Sequence, residues 1–175
     1  MTSLGSHANI LKHKLAVASA RKIGDRLKLA HTVRHLGDAY SHAGQTALAE
    51  PCYVEALSIY RSHEKTPPLD LANAIRSFAA LKDEVGAAEE AQSLWQEAHH
   101  LYVAVSEAPD ITESWRRGVL GGVAESAARL ALLAWHDGDP QRRREWLNKA
   151  RAAADTSDDA ETLQYINDVR TRIEG

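Results

Sequence analysis

Two stretches of this chain match position by position at a spacing of 42 residues, and that periodicity limits the possible folds more than any other feature. Leu29, Ala30, Val33, Leu36, Gly37 and Gly44 become Leu71, Ala72, Ile75, Phe78, Ala79 and Gly86. Ala49, Tyr53, Ala56 and Tyr60 become Ala91, Trp95, Ala98 and Tyr102. Each pair keeps its size class and polarity. Tyr40 against Lys82 and Leu57 against His99 are the misfits. An internal repeat of this kind implies a solenoid, because one unit cannot bury its apolar side alone.

The repeating unit reads as two amphipathic helices and a turn. Leu29, Ala30, Val33, Leu36, Gly37, Tyr40 and Ala43 form one stripe of a helix. Ala49, Tyr53, Ala56, Leu57 and Tyr60 form the facing stripe. Gly44 ends the first helix, where a left-handed residue is easiest, and Thr46 is the expected cap of the second. Gly37 and Ala49 are small where the two axes should cross. Pro51 removes one donor just past the first turn of its helix and should bend it slightly.

Taken in order, the chain opens with a helix predicted over 7–24, with Ile10, Leu11, Leu15 and Ala18 on its inner side. Subtracting 42 sets Leu11 under Tyr53 and Leu15 under Leu57, so this segment reads as the second helix of a repeat whose first helix is missing. It is expected to cap the first full repeat, 26–62, with Asp25 capping the helix that follows. Pro67 and Pro68 break the chain, Asp70 is a plausible N-cap, and the second repeat spans 71–106. A divergent third repeat covers 111–154. Its turn glycine, Gly138, lies 52 residues after Gly86, so about ten residues are extra. Those residues, Asp110 to Gly122, are expected to lengthen the first helix, with a weak point at Gly121 and Gly122. The second helix of that repeat fits poorly, since Arg143 falls where an alanine is expected. Asp139 and Pro140 signal its start, and Ser157 begins a C-terminal cap helix over 157–173.

The fold class is therefore all-α, an α-α superhelix of about eight helices in one domain. The composition agrees: 44% hydrophobic, a single Phe and five Pro suit closely packed helices. A net charge of −3 gives no global attraction for nucleic acid or an anionic membrane. Cys52 is the only cysteine, which excludes an internal disulfide and reads as a small helix residue. No stretch reads as long and apolar enough to span a bilayer, and the N-terminus lacks an apolar leader core. A cytoplasmic location is the expectation that remains.

The residues Leu36, Gly37 and Tyr40, followed by Ala49, Tyr53 and Ala56, resemble the tetratricopeptide repeat. The usual repeat is shorter, about 34 residues. The 42-residue spacing and the run Ala49-Glu50-Pro51-Cys52-Tyr53 resemble its kinesin-light-chain subclass more closely. The resemblance implies a tetratricopeptide-repeat solenoid that binds a peptide or partner protein in a concave groove lined by the first helix of each repeat. Carried onto this sequence, the groove positions are His31, Arg34, His35, Asp38, Ser41 and His42, then Asn73, Arg76, Ala80, Asp83 and Glu84. The third repeat adds Glu125, Arg129, Trp135 and His136. Family members that clamp a chaperone tail need an asparagine where Asp38 stands, which argues against that ligand.

The peptide-binding candidates are His31, Arg34, His35, Asp38, His42, Asn73, Arg76 and Asp83. Arg34 and Arg76 share a repeat position, so they are expected to form a ladder toward a carboxylate, and an acidic partner suits them. His31, His35, Asp38 and His42 share one stripe at metal-ligand spacing, but HTVRH has Thr32 where a zinc protease needs its catalytic Glu. Polar helix surface is the plainer reading, and pH-sensitive binding is open to these histidines. Two other readings stay open beside the interaction module: a structural homo-oligomer, and a metal protein or enzyme built on the histidine stripe. Trp95 and Trp146 are expected in the core. The run Arg142-Arg143-Arg144 is too short to argue for nucleic acid, and no nucleophile elbow, phosphate loop or cofactor motif is present. No catalytic residue, metal ligand or cofactor is assigned.

Overall fold

The computed structural model describes residues 3–174. Among them are eight α-helices and no strand. The helices are α1 (Ser3–Ile23), α2 (Arg26–His42), α3 (Thr46–Ser62), α4 (Pro68–Glu84), α5 (Ala88–Ser106), α6 (Glu113–His136), α7 (Pro140–Ser157) and α8 (Ala160–Glu174). They divide into two compact units, Met1–Ala87 and Ala88–Gly175.

In the first unit α2 packs on α1, α3 and α4. Its core is Ala30, Val33, Leu36, Ala49, Tyr53, Ala56, Leu57, Ile75 and Ala79, all but Leu57 at positions that repeat in the sequence. Gly37 is small because the ring of Tyr53 lies on it: a Cβ there would sit 2.8 Å from Tyr53 Cε1. Gly44 and Gly86 both adopt positive φ, +71° and +75°, and reverse the chain after α2 and α4. The misfit Lys82 is buried, yet its ammonium lies 2.7 Å from Glu50 Oε1 and 5.0 Å from the Phe78 ring centre. Its aliphatic stem fills space where Tyr40 stands in the repeat before, and the charge is paired at the rim.

In the second unit α6 is the central helix, packed on α5, α7 and α8. It runs for 24 residues, against 17 in α2 and α4, so the inserted segment is taken up largely as helix. The Gly121–Gly122 pair is not a break. A Cβ on Gly122 would lie 2.7 Å from Tyr102 Cε1, so this glycine repeats the close approach of Gly37. By length and composition α6 could cross a membrane, which corrects the reading that no stretch is apolar enough. Half of its most apolar window is buried inside the unit, as in a core helix. The second misfit, His99, is buried, with Nδ1 3.1 Å from Ser126 Oγ.

Several local expectations change. α1 buries Ile10, Val17 and Ala20, and leaves Leu11 and Leu15 58% and 64% exposed. Its burial matches α3 at an offset of 43, Ile10 for Tyr53 and Val17 for Tyr60, so the 42-residue register slips by one in this helix. Gln45, not Thr46, precedes α3, without a side-chain cap bond. Pro67 precedes α4, with Pro68 opening it and Asp70 in its first turn, where a carboxylate favours the helix dipole. Ser157 closes α7. Asp158 turns the chain at φ +56°, and Asp159 accepts the Thr162 N–H at 2.8 Å to start α8. Asp25 and Asp139 cap α2 and α7 as the sequence indicates. Trp95 is fully buried, whereas Trp146 is half-buried and meets the His99 ring edge-on at 5.0 Å.

Candidate functional site

The candidate residues of the first unit lie on adjoining sides of α2 and α4. Their foundation is a polar network around Asp38. Arg34 Nη1 donates to Asp38 Oδ2 at 3.0 Å, one helical turn away. The Tyr53 hydroxyl, from α3, donates to Asp38 Oδ1 at 3.0 Å, and Ser77, on α4, also hydrogen-bonds this carboxylate. One carboxylate thus ties three helices together. His35 completes the arrangement. Its Nδ1 is 3.3 Å from Asp38 Oδ2, and its Nε2 is 2.8 Å from Arg34 Nη2. A neutral ring with the proton on Nδ1 satisfies both contacts: Nδ1–H faces the carboxylate, and Nε2 accepts from the guanidinium.

This network changes the expected ladder. Arg34 is only 9% exposed and committed to Asp38 and His35, so it does not stand out toward a ligand as the repeat position suggests. Asp38 is likewise spent on internal donors. His31 and His42 are exposed, His35 is partly so, and Asn73, Arg76 and Asp83 are half-buried and engaged with neighbouring groups. Ser41 donates to Glu84 at 3.3 Å, joining the far ends of α2 and α4. In the second unit, Arg129 stacks 5.8 Å from the ring centres of both Trp95 and Tyr165, and Arg172 lies 5.9 Å over Trp135. His136 is exposed beside Trp135, and Glu125 is half-buried.

The sequence reading missed His13. It comes from α1, has no repeat equivalent, and lays its ring 5.8 Å from that of His35; His31 meets His35 edge-on at 4.6 Å. Three imidazoles from two helices therefore gather beside the Asp38 network. Nor did the hydroxyls of Tyr53 and Ser77 give a signal, since one belongs to a core position and the other to a helix surface.

The electrostatics follow from packing. Burial would raise the Asp38 carboxyl, but hydrogen bonds from His35, Ser77 and Tyr53 and the charge of Arg34 hold it below its ordinary value. Burial lowers His31, and His35 and Arg34 add to the effect against the opposing charges of Asp70 and Asp38. Burial lowers His13 too, reinforced by His35 and Lys12 and opposed by Asp38. Burial, then the nearby Asp38 charge, pushes the Tyr53 phenol up, so it stays a donor. Among the described residues no group of three His, Cys, Asp or Glu is placed to hold a metal ion. Cys52 is half-buried, donates to Leu48 O at 3.3 Å, and has its thiol raised by burial, which makes it a poor nucleophile.

No protein-family model matches the chain, and no curated protein matches it in sequence. Solved structures do match. BtubC (BKLC) from P. vanneervenii superposes with a TM-score of 0.53 at 16% identity, over 99% of this chain and 74% of that one. The kinesin light chain TPR-like repeats of Podosopora anserina give 0.54 at 14% identity, over 97% and 87%. Aspartyl phosphate phosphatase F from Bacillus subtilis gives 0.51 at 16% identity, over 91% of this chain and 49% of that one. The chain has the fold of TPR-like helical repeats.

Proposed function

We propose that this chain is a non-enzymatic, cytoplasmic protein-interaction module that receives an acidic partner segment across the α2–α4 face of its first unit. One observation carries the reading: His31 and His35 on α2 and Asn73 and Arg76 on α4 stand on adjoining helices that a largely buried Arg34–Asp38 ion pair, bonded also by Tyr53, braces from below. A foundation that spans three helices fixes the backbone that carries those side chains, and preorganisation lowers the cost of binding. Helical repeats of this fold commonly serve protein contacts, which supports the same reading. Arg76 supplies permanent charge. His13 and His31 add charge as pH falls, and their lowered values delay that gain to below about pH 6.5.

The test uses a fluorescein-labelled Asp/Glu-rich peptide and its Asn/Gln counterpart, titrated at about pH 8 and about pH 5.5. The acidic peptide should bind the wild type more tightly, more so at the lower pH. Arg76→Ala should weaken it by about tenfold, the scale of one charge-assisted contact. Arg34→Ala is the wrong probe, because it strips Asp38 of its partner. Equal affinity for the two peptides at both pH values would sink the assignment.

A further inference from the structure

We propose that the outer side of α1 is a docking seam for one acidic amphipathic helix of a partner protein, separate from the α2–α4 face. The inner side of α1 is settled by Ile10, Val17 and Ala20, each less than a tenth exposed. Successive residues of an α-helix turn by about 100°, so Ala8, Leu11, Leu15 and Ala18 fall diametrically opposite. Leu11 and Leu15 are 58% and 64% exposed there, and both alanines are exposed as well. A helix apolar on two opposite sides is built for two neighbours, and α2 covers only one of them.

The spacing names the kind of neighbour. From Ala8 the stripe steps by 3, 4 and 3 residues to Ala18, the a and d positions of a heptad. That is a narrow seam for another helix. A membrane-surface helix presents a broad face with bulky aromatic residues, and this stripe has none. In the same register the flanking e and g positions hold His7, Lys12, Lys14, Ser19 and Arg21. The e and g positions choose partners by charge. Across its whole length α1 has four Lys or Arg and no Asp or Glu, whereas the remainder of the chain has 21 − 4 = 17 basic and 24 acidic residues. Docking α1 on a second α1 would set like charges along both flanks, so the complementary occupant is a helix with Glu or Asp beside an apolar stripe. Two of the flanking cations also reach into the fold, Arg21 to both carboxylate oxygens of Glu55 at 2.8 and 2.9 Å and Lys14 to within 5.7 Å of the Tyr40 ring centre, so Lys12 is the flank charge that the seam itself presents.

The experiment uses the full chain and two synthetic four-heptad peptides with leucine at a and d, one with Glu and one with Lys at e and g. Fluorescence anisotropy should show the Glu peptide binding, more weakly at high salt, and the Lys peptide binding at least about tenfold less. Leu11→Ser/Leu15→Ser should lose about tenfold or more of the affinity for the Glu peptide, because two seam contacts are removed. Both leucines are exposed, so this variant should melt like the wild type; Lys12→Glu serves as a second, charge-only variant and should weaken the same peptide. Arg76→Ala should leave it unchanged, which separates this seam from the α2–α4 face. The proposal is overturned if the serine variant binds the Glu peptide like wild type, or if the two peptides bind equally. It is also overturned if the chain forms a dimer, or binds phosphatidylserine vesicles, in a manner that Leu11→Ser/Leu15→Ser abolishes.

Discussion

Tyr53 and Trp95 stand 42 residues apart at one position of successive repeats, and the two units use them differently. In the first unit the Tyr53 ring closes on Gly37 while its hydroxyl reaches Asp38, so a core side chain anchors a polar network at the surface. In the second, Trp95 is fully buried, and the polar chemistry lies inside: His99 and Ser126 are bonded in the core. Outside the two misfit pairs the apolar size of each repeat position is held nearly constant, because close packing tolerates little change. Polar groups are free to move between surface and interior, provided that each finds a partner. In the first unit the polar network borders solvent, and in the second the polar pair is enclosed.

The largest test of this comparison strikes what the units share. Gly37→Leu and Gly122→Leu each drive side-chain atoms into a buried tyrosine ring, and each should cost about 3 kcal/mol. Guanidinium unfolding would measure both. If either variant unfolds like wild type, the close approach proposed for that unit is wrong.

The next separates them. Asp38→Ala leaves Arg34 buried without its carboxylate and takes the acceptor from Tyr53, a loss of about 2 kcal/mol for a site partly open to water. Asp38→Asn keeps an acceptor and should lose less. In the second unit, Ser126→Ala leaves His99 hydrogen-bonded to the Val123 backbone and should cost about 1 kcal/mol or less. Were Asp38→Ala no more damaging than Ser126→Ala, the network would not be what joins α2, α3 and α4.

These two tests also mark how far the sequence could be read. The paired helices, their turn glycines and most core positions followed from periodicity, because apolar burial repeats with the fold. The candidate face was legible only as a list of positions. Arg34 and Arg76 look equivalent in sequence, but whether an arginine reaches outward depends on what lies within a turn of it. For Arg34 that is Asp38, itself fixed by Tyr53 and Ser77 from other helices. His13 was invisible for the same reason: its partners are distant in sequence. On α1 the period was right and the register wrong by one residue, enough to turn Leu11 and Leu15 outward.

A third test follows proton uptake in the second unit. Burial lowers His99 to about 4 from an ordinary value near 6.5. The unfolded chain takes up this proton first, so the stability contributed by neutral His99 is present above about pH 6.5 and is lost as pH falls toward about 4. All four tryptophans lie in the second unit, so their fluorescence follows that unit directly. His99→Leu, which restores the residue of the first repeat at Leu57, should flatten the acid-side decline. An unchanged pH profile would show that another group governs it.

The smallest effect belongs to the first unit and asks whether its histidines behave as surface groups. His13 and His31 are lowered mainly by partial burial, and the charges of Asp38 and Asp70 work against that shift. The sign is the same as for His99: as pH falls below about 6.5, the unfolded chain binds protons that these folded sites resist, and stability declines. The decline should be shallow, because both rings reach solvent and two carboxylates stand near. Its location is specific, because the His13–His35 contact joins α1 to α2. Amide exchange of α1, corrected for intrinsic rates, should therefore show lower protection at about pH 5.5 than at about pH 7.5. His13→Gln should remove most of that difference while leaving α5 to α8 unaffected. If α1 protection in His13→Gln fell with pH as in the wild type, the histidine cluster would not be what couples these helices to pH, and the contrast between a solvent-bordered and a buried histidine would rest on His99 alone.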